Sequence, residues 1–235
     1  MTEIVSNINS NYNALVLQAE HRLTNGVQFQ TSCTFSKALD YGQNQTSGAD
    51  VNDPFDPFTV AYDYGKSVTN IPQHFVGSLV WEPMVTTANR VLKMAVNGWL
   101  VSPIFTEESG LPYSYGVNGT DTKVQTVPGA SGSLNGSGGA NFLPLAGRNT
   151  LEQPRIEDVD LRLSRSMIFA DKYRLEALTE AFNLFNRENF TSVNTTAYSV
   201  SGTVLNAVGN FTVPNTAGNT IYRERQIQFA LRLEF

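Results

Sequence analysis

The chain has 235 residues, of which 41% are hydrophobic and only 16% charged, and its net charge is -5. Ordinary globular chains carry about 25% charged residues, so much of this surface is expected to avoid bulk water. The acidic balance and the lack of any Lys/Arg run argue against nucleic acid as a partner, and the single cysteine, Cys33, rules out an intrachain disulfide framework and a cysteine-based zinc site.

Residues 1–12 are polar and Asn-rich, without the basic and apolar regions of an export signal. No stretch approaches the ~18 consecutive apolar residues of a spanning helix. From residue 13 the pattern becomes strand-like. Leu15, Leu17, Ala19 and Leu23 fall on one face of residues 13–23, opposite Gln18, Glu20 and Arg22. Asn25-Gly26, the strongest short hairpin signal, then leads into a second run over 27–36. That run alternates strictly, with Val27, Phe29, Cys33 and Phe35 on one face and Gln28, Gln30, Ser32, Thr34 and Ser36 on the other. Cys33 is thus expected to be a buried or lipid-facing thiol rather than a nucleophile.

Five further runs follow. Residues 74–82 place Phe75, Leu79 and Trp81 together, with Gly77 between them. Residues 99–105 alternate Trp99, Val101 and Phe105, and 156–167 set Val159, Leu161 and Leu163 against Asp158, Asp160, Arg162 and Ser164. Residues 173–182 are less regular. The last run, 226–235, carries Ile227, Phe229, Leu231, Leu233 and Phe235 on one face and Gln226, Gln228, Arg232 and Glu234 on the other.

Alternation alone fits a soluble sandwich as well as a membrane wall; the connections separate the two. Short turns are expected at Asn25-Gly26, 85–90 and 170–172, and long loops at 37–73, 106–155 and 186–220. Structureless loops beyond about 15 residues are uncommon in compact soluble domains. Three of them on one end of an up-and-down meander is the asymmetry of transmembrane barrels, with short periplasmic turns and long extracellular loops. Strands of ~9–11 residues suit a tilted crossing. The expected fold is therefore all-β: an antiparallel, up-and-down transmembrane β-barrel segment of about seven strands. Bacterial barrels have even strand numbers and no open edge in lipid, so seven strands are expected to be part of a larger barrel, with partner strands and the export signal upstream.

No catalytic constellation is legible, and neither enzyme activity nor a cofactor is expected. The glycine-rich stretch 129–139 lacks the Gly-Lys-Ser/Thr ending of a phosphate loop. His21 and His74 are far apart in sequence and lack metal-pair spacing. Asp50, Asp53 and Asp56 lack the glycine and terminal glutamate of an EF-hand loop. Phe75, Trp81, Trp99, Phe105, Phe169, Tyr173 and Phe185 gather near strand ends, as interfacial girdles would.

Several motifs occur in order along nearly the whole chain: Asn11-Tyr12-Asn13-Ala14-Leu15, Thr34-Phe35-Ser36-Lys37-Ala38-Leu39-Asp40, Asn97-Gly98-Trp99, Ser109-Gly110-Leu111-Pro112 and Gly147-Arg148-Asn149-Thr150. Glu180-Ala181-Phe182-Asn183-Leu184-Phe185-Asn186 and Arg225-Gln226-Ile227-Gln228-Phe229 complete the set. As an ordered set they resemble the C-terminal barrel segment of TonB-dependent outer-membrane transporters, in the Oar-like group with a carboxypeptidase-regulatory-like N-terminal domain. The resemblance implies a barrel of about 22 strands with a plugged lumen, and uptake driven by an inner-membrane energy-transducing complex. It makes residues 1–235 the C-terminal part of the barrel domain, with plug and N-terminal domains outside the chain, so the TonB complex would be engaged only through those missing regions. Outer-membrane lipid and the barrel-assembly machinery are the remaining expected partners. The final run, Ile227, Phe229, Leu231, Leu233 and Phe235, resembles the signal that this machinery reads by strand addition. The rival reading is a secreted, soluble all-β carbohydrate-binding module using Tyr113, Tyr115 and Trp99.

Overall fold

In the computed structural model, residues 8–42, 59–118, 142–169, 172–201, 204–215 and 220–235 are described. The first two runs form a hairpin of β1 (Asn11–Thr24) and β2 (Val27–Asp40), in register from Asn11 opposite Leu39 to Thr24 opposite Val27. Asn25 (φ 52°) and Gly26 (φ 78°) both take positive φ, the type I′ geometry that matches strand twist. A two-residue pair, β3 (Gly65–Lys66), adds to the far end of β2. The meander then continues through β4 (Gln73–Trp81), helix α1 (Arg90–Val96) and β5 (Trp99–Glu108).

After β5 come β6 (Pro112–Tyr113), β7 (Gly116–Asn118) and β8 (Leu151–Glu152), then the long strands β9 (Ile156–Phe169) and β10 (Tyr173–Phe182). The chain closes with β11 (Thr196–Ser201), β12 (Val204–Ala207) and β13 (Gln226–Glu234). Seven strands make the main antiparallel sheet in the order β1-β2-β4-β5-β9-β10-β13, so each long strand pairs with the next one in sequence. The barrel is not closed: β1 and β13 are the two edges of the sheet.

Ladder partners share a face, and the register carries one apolar surface across all seven strands. Leu17 lies opposite Cys33, and Cys33 opposite Phe75. Farther along, Phe105 meets Val159 and Val101 meets Leu163; Leu163 meets Thr179, and Thr179 meets Phe229. Leu15, Leu17, Phe229, Leu231 and Leu233 on this face all remain exposed. The buried class is instead largely polar, including Asn70, Arg148, Asn149, Asp158, Ser164, Asn183 and Asn189. That inversion of the usual inside-out rule is expected of a wall whose apolar side meets lipid.

β1, β2 and β9 have 14 residues each. At ~3.4 Å per residue and ~40° tilt such a strand rises about 34 Å, more than the ~25 Å apolar band of these barrels. The strands therefore project beyond the membrane.

Two expectations about the connections change. The connection expected to be a short turn at 85–90 runs from Glu82 to Gly98 and contains α1. The physical reason is non-local: a seven-residue helix is too short to be stable alone and is held by side chains of the wall. The long loops are not structureless either, since they contain β3, β6, β7, β8, β11 and β12. At the third expected turn, residues 170 and 171 lie outside the described residues, and Lys172 N donates to Phe169 O at 3.4 Å.

Candidate functional site

The connections 41–72, 109–155 and 183–225 all leave the same end of the sheet, and their described residues form a cap. One small sheet pairs β7 in parallel with β11, and β11 with β12; another pairs β6 with β8. Arg148 clasps the base of this cap. Its buried guanidinium donates to Asp63 O at 2.5 Å, to Asp40 O at 2.6 Å and to the Asp40 carboxylate, tying the end of β2 to the segment before β8. Next to it Asn149 (φ 56°) donates to Lys66 O at 2.7 Å and receives the Ser114 hydroxyl at 3.2 Å.

Asparagine amides repeat this device elsewhere, offering one acceptor and two donors in place of a missing main-chain partner. Asn70 Oδ1 accepts from Ala38 N at 2.6 Å. Asn189, fully buried, accepts from Glu157 N at 2.9 Å and donates to Glu157 O at 2.8 Å. Asn183 (φ 48°) donates to Arg187 O and Arg223 O, both at 2.9 Å. Tyr113 and Tyr115 pack against Phe211 with ring centroids 6.5 and 5.4 Å away. Burial, and then the neighbouring Tyr115, raise the Tyr113 hydroxyl above its ordinary pKa.

Below the cap, the polar face of the sheet carries a charged network. Arg162 reaches Glu176 at 3.9 Å and Glu180 at 3.6 Å; Gln228 donates to Glu180, and Arg174 donates to Ser166 at 3.2 Å. Nearer the cap, His74 lies 3.7 Å from Glu108. The Tyr222 hydroxyl is raised by burial first, then by Asp158, Asp160 and Glu108. This arrangement concentrates acceptors at the mouth of the wall and suits a donor-rich or cationic group. Among the described residues, no three or more His, Cys, Asp or Glu side chains are grouped to hold a metal ion.

Ile227, Phe229, Leu231 and Leu233 line one face of β13, and Phe235 follows its last residue. Ala181, Thr179, Ala177 and Leu175 of β10 are their partners, in that order, and the other edge of β13 is unpaired among the described residues. Trp81, Trp99, Phe169 and Tyr173 sit at the short-turn end of the apolar face, and the tilted rings of Phe75 and Phe105 meet at 5.6 Å toward the cap. Phe185 lies apart, exposed in the connection after β10. The trio Tyr113, Tyr115 and Trp99 is not brought together, since Trp99 opens β5 and the tyrosines lie beyond its other end.

His21 stacks on Phe29 at 5.5 Å, on a different strand from His74. Cys33 is a free, half-buried thiol in the outward row. Asp50, Asp53, Asp56 and the stretch 129–139 lie outside the described residues. Sequence reasoning quoted Arg148, Asn149 and Asn183 inside motifs without seeing their task, and passed over Asn70 and Asn189. Asparagine near glycine or in dense Asn-rich loops was the available hint, because Asn tolerates positive φ.

No curated protein and no solved structure matches the chain. A family model described as an outer membrane beta barrel domain matches residues 1–228. With an outward apolar face, a polar inner face and connections of unequal length at the two ends, the chain belongs to the outer membrane beta barrel domain family, as barrel wall in the outer membrane.

Proposed function

We infer that this wall belongs to a TonB-dependent receptor that takes up an extracellular substrate, with the cap contributing to capture. The observation that carries this reading is the pairing of an open seven-strand sheet with a densely hydrogen-bonded cap over one end. A small, self-contained barrel has no use for such an edge, whereas a large barrel needs many strands and a structured mouth. The ordered motifs that resemble the Oar-like group add the energy-coupled mechanism, and a substrate too large for passive diffusion, such as an oligomer or a chelate. In the same reading β13 is the strand offered to the assembly machinery: its free edge supplies backbone hydrogen bonds and its alternate apolar side chains supply the pattern.

The test compares cells lacking the encoding gene, cells lacking the energy transducer and the parent strain for depletion of labelled oligopeptides, oligosaccharides and metal chelates from the medium. Loss of the same substrate class in both deletions is the expected result. Loss in the first deletion alone would refute energy coupling.

A further inference from the structure

We propose that α1 and its flanks are an interfacial anchor that docks on anionic phospholipid of the periplasmic leaflet. This rests on the membrane placement of the wall and not on the transport reading.

Position comes first. Trp99 and Arg165 are ladder partners on the apolar outer face, in the rows that hold Val101 with Leu163 and Phe105 with Val159. Trp99 Nε1 donates to Ala95 O at 2.9 Å, and Arg165 donates to Met94 O. The last carbonyls of α1 are thus held by two side chains that point to the lipid side. This satisfies groups that a helix end otherwise leaves open. Asn97 clips Val85 through both amide atoms, at 2.8 and 3.3 Å, and Gly98 (φ 85°) receives Ser166 N at 2.8 Å, so the whole connection is fixed to the outer rim.

Chemistry comes second. Val91 (77% exposed), Met94 (62%), Met84 (70%) and Leu92 (45%) present apolar surface that none of the described residues covers. The same stretch, residues 83–98, carries Arg90 and Lys93 and no acidic residue, and neither cation is in an ion pair among the described residues. Trp81 and Trp99, the only tryptophans of the chain, stand at this level, where amphipathic rings favour the boundary between headgroups and acyl chains. An apolar surface continuous with the membrane belt, joined to two free cations, matches a surface helix lying at the headgroup boundary. Its occupant is a phospholipid whose chains meet Val91 and Met94 and whose phosphate meets Arg90 and Lys93.

The experiment uses the full chain carrying Cys33→Ser, purified from the outer membrane. Single cysteines replace Val91, Leu161 in the belt or Leu205 in the cap, each labelled with the same fluorophore. Vesicles of phosphatidylcholine, with or without one quarter phosphatidylglycerol, contain either lipid brominated high on the chain. The Val91 probe is expected to be quenched, and brominated phosphatidylglycerol should quench it more, per mole of brominated lipid, than brominated phosphatidylcholine. The variant Arg90→Gln with Lys93→Gln should lower that preference, by up to about fivefold per cation. A Val91 probe that escapes quenching while Leu161 is quenched overturns the anchor and leaves the wall intact. Quenching without preference for the anionic lipid overturns it equally. Failure at Leu161 would overturn the membrane wall itself, and the anchor with it.

Discussion

Replacing Arg148 by Met should loosen the cap without disturbing the wall. The substitution keeps an unbranched side chain of related length but removes the donors to Asp63 O, Asp40 O and the Asp40 carboxylate. It also leaves that carboxylate, largely shielded from solvent, without its counter-ion. Breaking a buried pair from one side costs about 3–5 kcal/mol. The Gly42 amide, which donates to the same carboxylate at 2.9 Å, offsets only part of that loss.

Taking ~4 kcal/mol, and a tenfold change for each ~1.4 kcal/mol, the cap should open on the order of a thousandfold more often. External protease on intact cells reads this directly when cleavage follows the open population. The cap segments should be cut far faster in the variant, while the heat-modifiable mobility of the wall is unchanged. Adding Asp40→Asn should recover part of the loss, since no charge is then stranded, whereas Arg148→Lys should recover little, because an ammonium cannot span the same acceptors. A variant cap as protease-resistant as the parent would refute the clasp.

Three other outcomes follow from the same geometry. Gly26→Ala forces an alanine into φ 78° and brings its Cβ to 2.2 Å from Glu82 O, so the folded, heat-modifiable fraction should fall sharply; an unchanged fraction would count against the tight turn. Leu231→Arg, on the outward face of β13, should cost up to the ~2–4 kcal/mol of a lipid-facing arginine. Ala230→Arg, on the opposite face beside Leu178, should be far milder, and denaturant titration in lipid that ranks them the other way would reverse the assignment of faces. Asn189→Ala strips the partners from Glu157 N and O and should cost ~2–3 kcal/mol. Hydrogen exchange should then quicken at the Glu157 amide while the centre of β9 stays protected.

The wall was legible because strand alternation is local. The 173–182 run was read with the bounds of β10, although its pattern is the least regular, and Asn25-Gly26 announced its own turn type. What escaped was everything fixed by distant partners. The helix spanning Arg90–Val96 carries no length or periodicity sufficient to declare itself, and its stability comes from Trp99 and from Arg165 on another strand. Likewise β7 pairs in parallel with β11 over three residue pairs, across a wide gap in sequence that no local pattern encodes. Arg148 stands in a quoted motif, but its partners Asp40 and Asp63 lie far upstream, where no local pattern points to them. Strand rhythm writes the wall into the sequence, whereas the mouth is written in contacts.

The amides that knit the cap have a consequence for life outside the cell. Asn70, Asn149, Asn183 and Asn189 gain and lose no protons in any natural water, and their bonds act at contact range, where dissolved ions screen little. A bacterium cannot regulate the acidity or salinity of its surroundings, yet bonds of this kind hold alike in fresh water and in brine. Any response of the entrance to those conditions then has to arise in the ion pairs at its base, such as Arg148 with Asp40 or Arg187 with Glu157, and not in the amides.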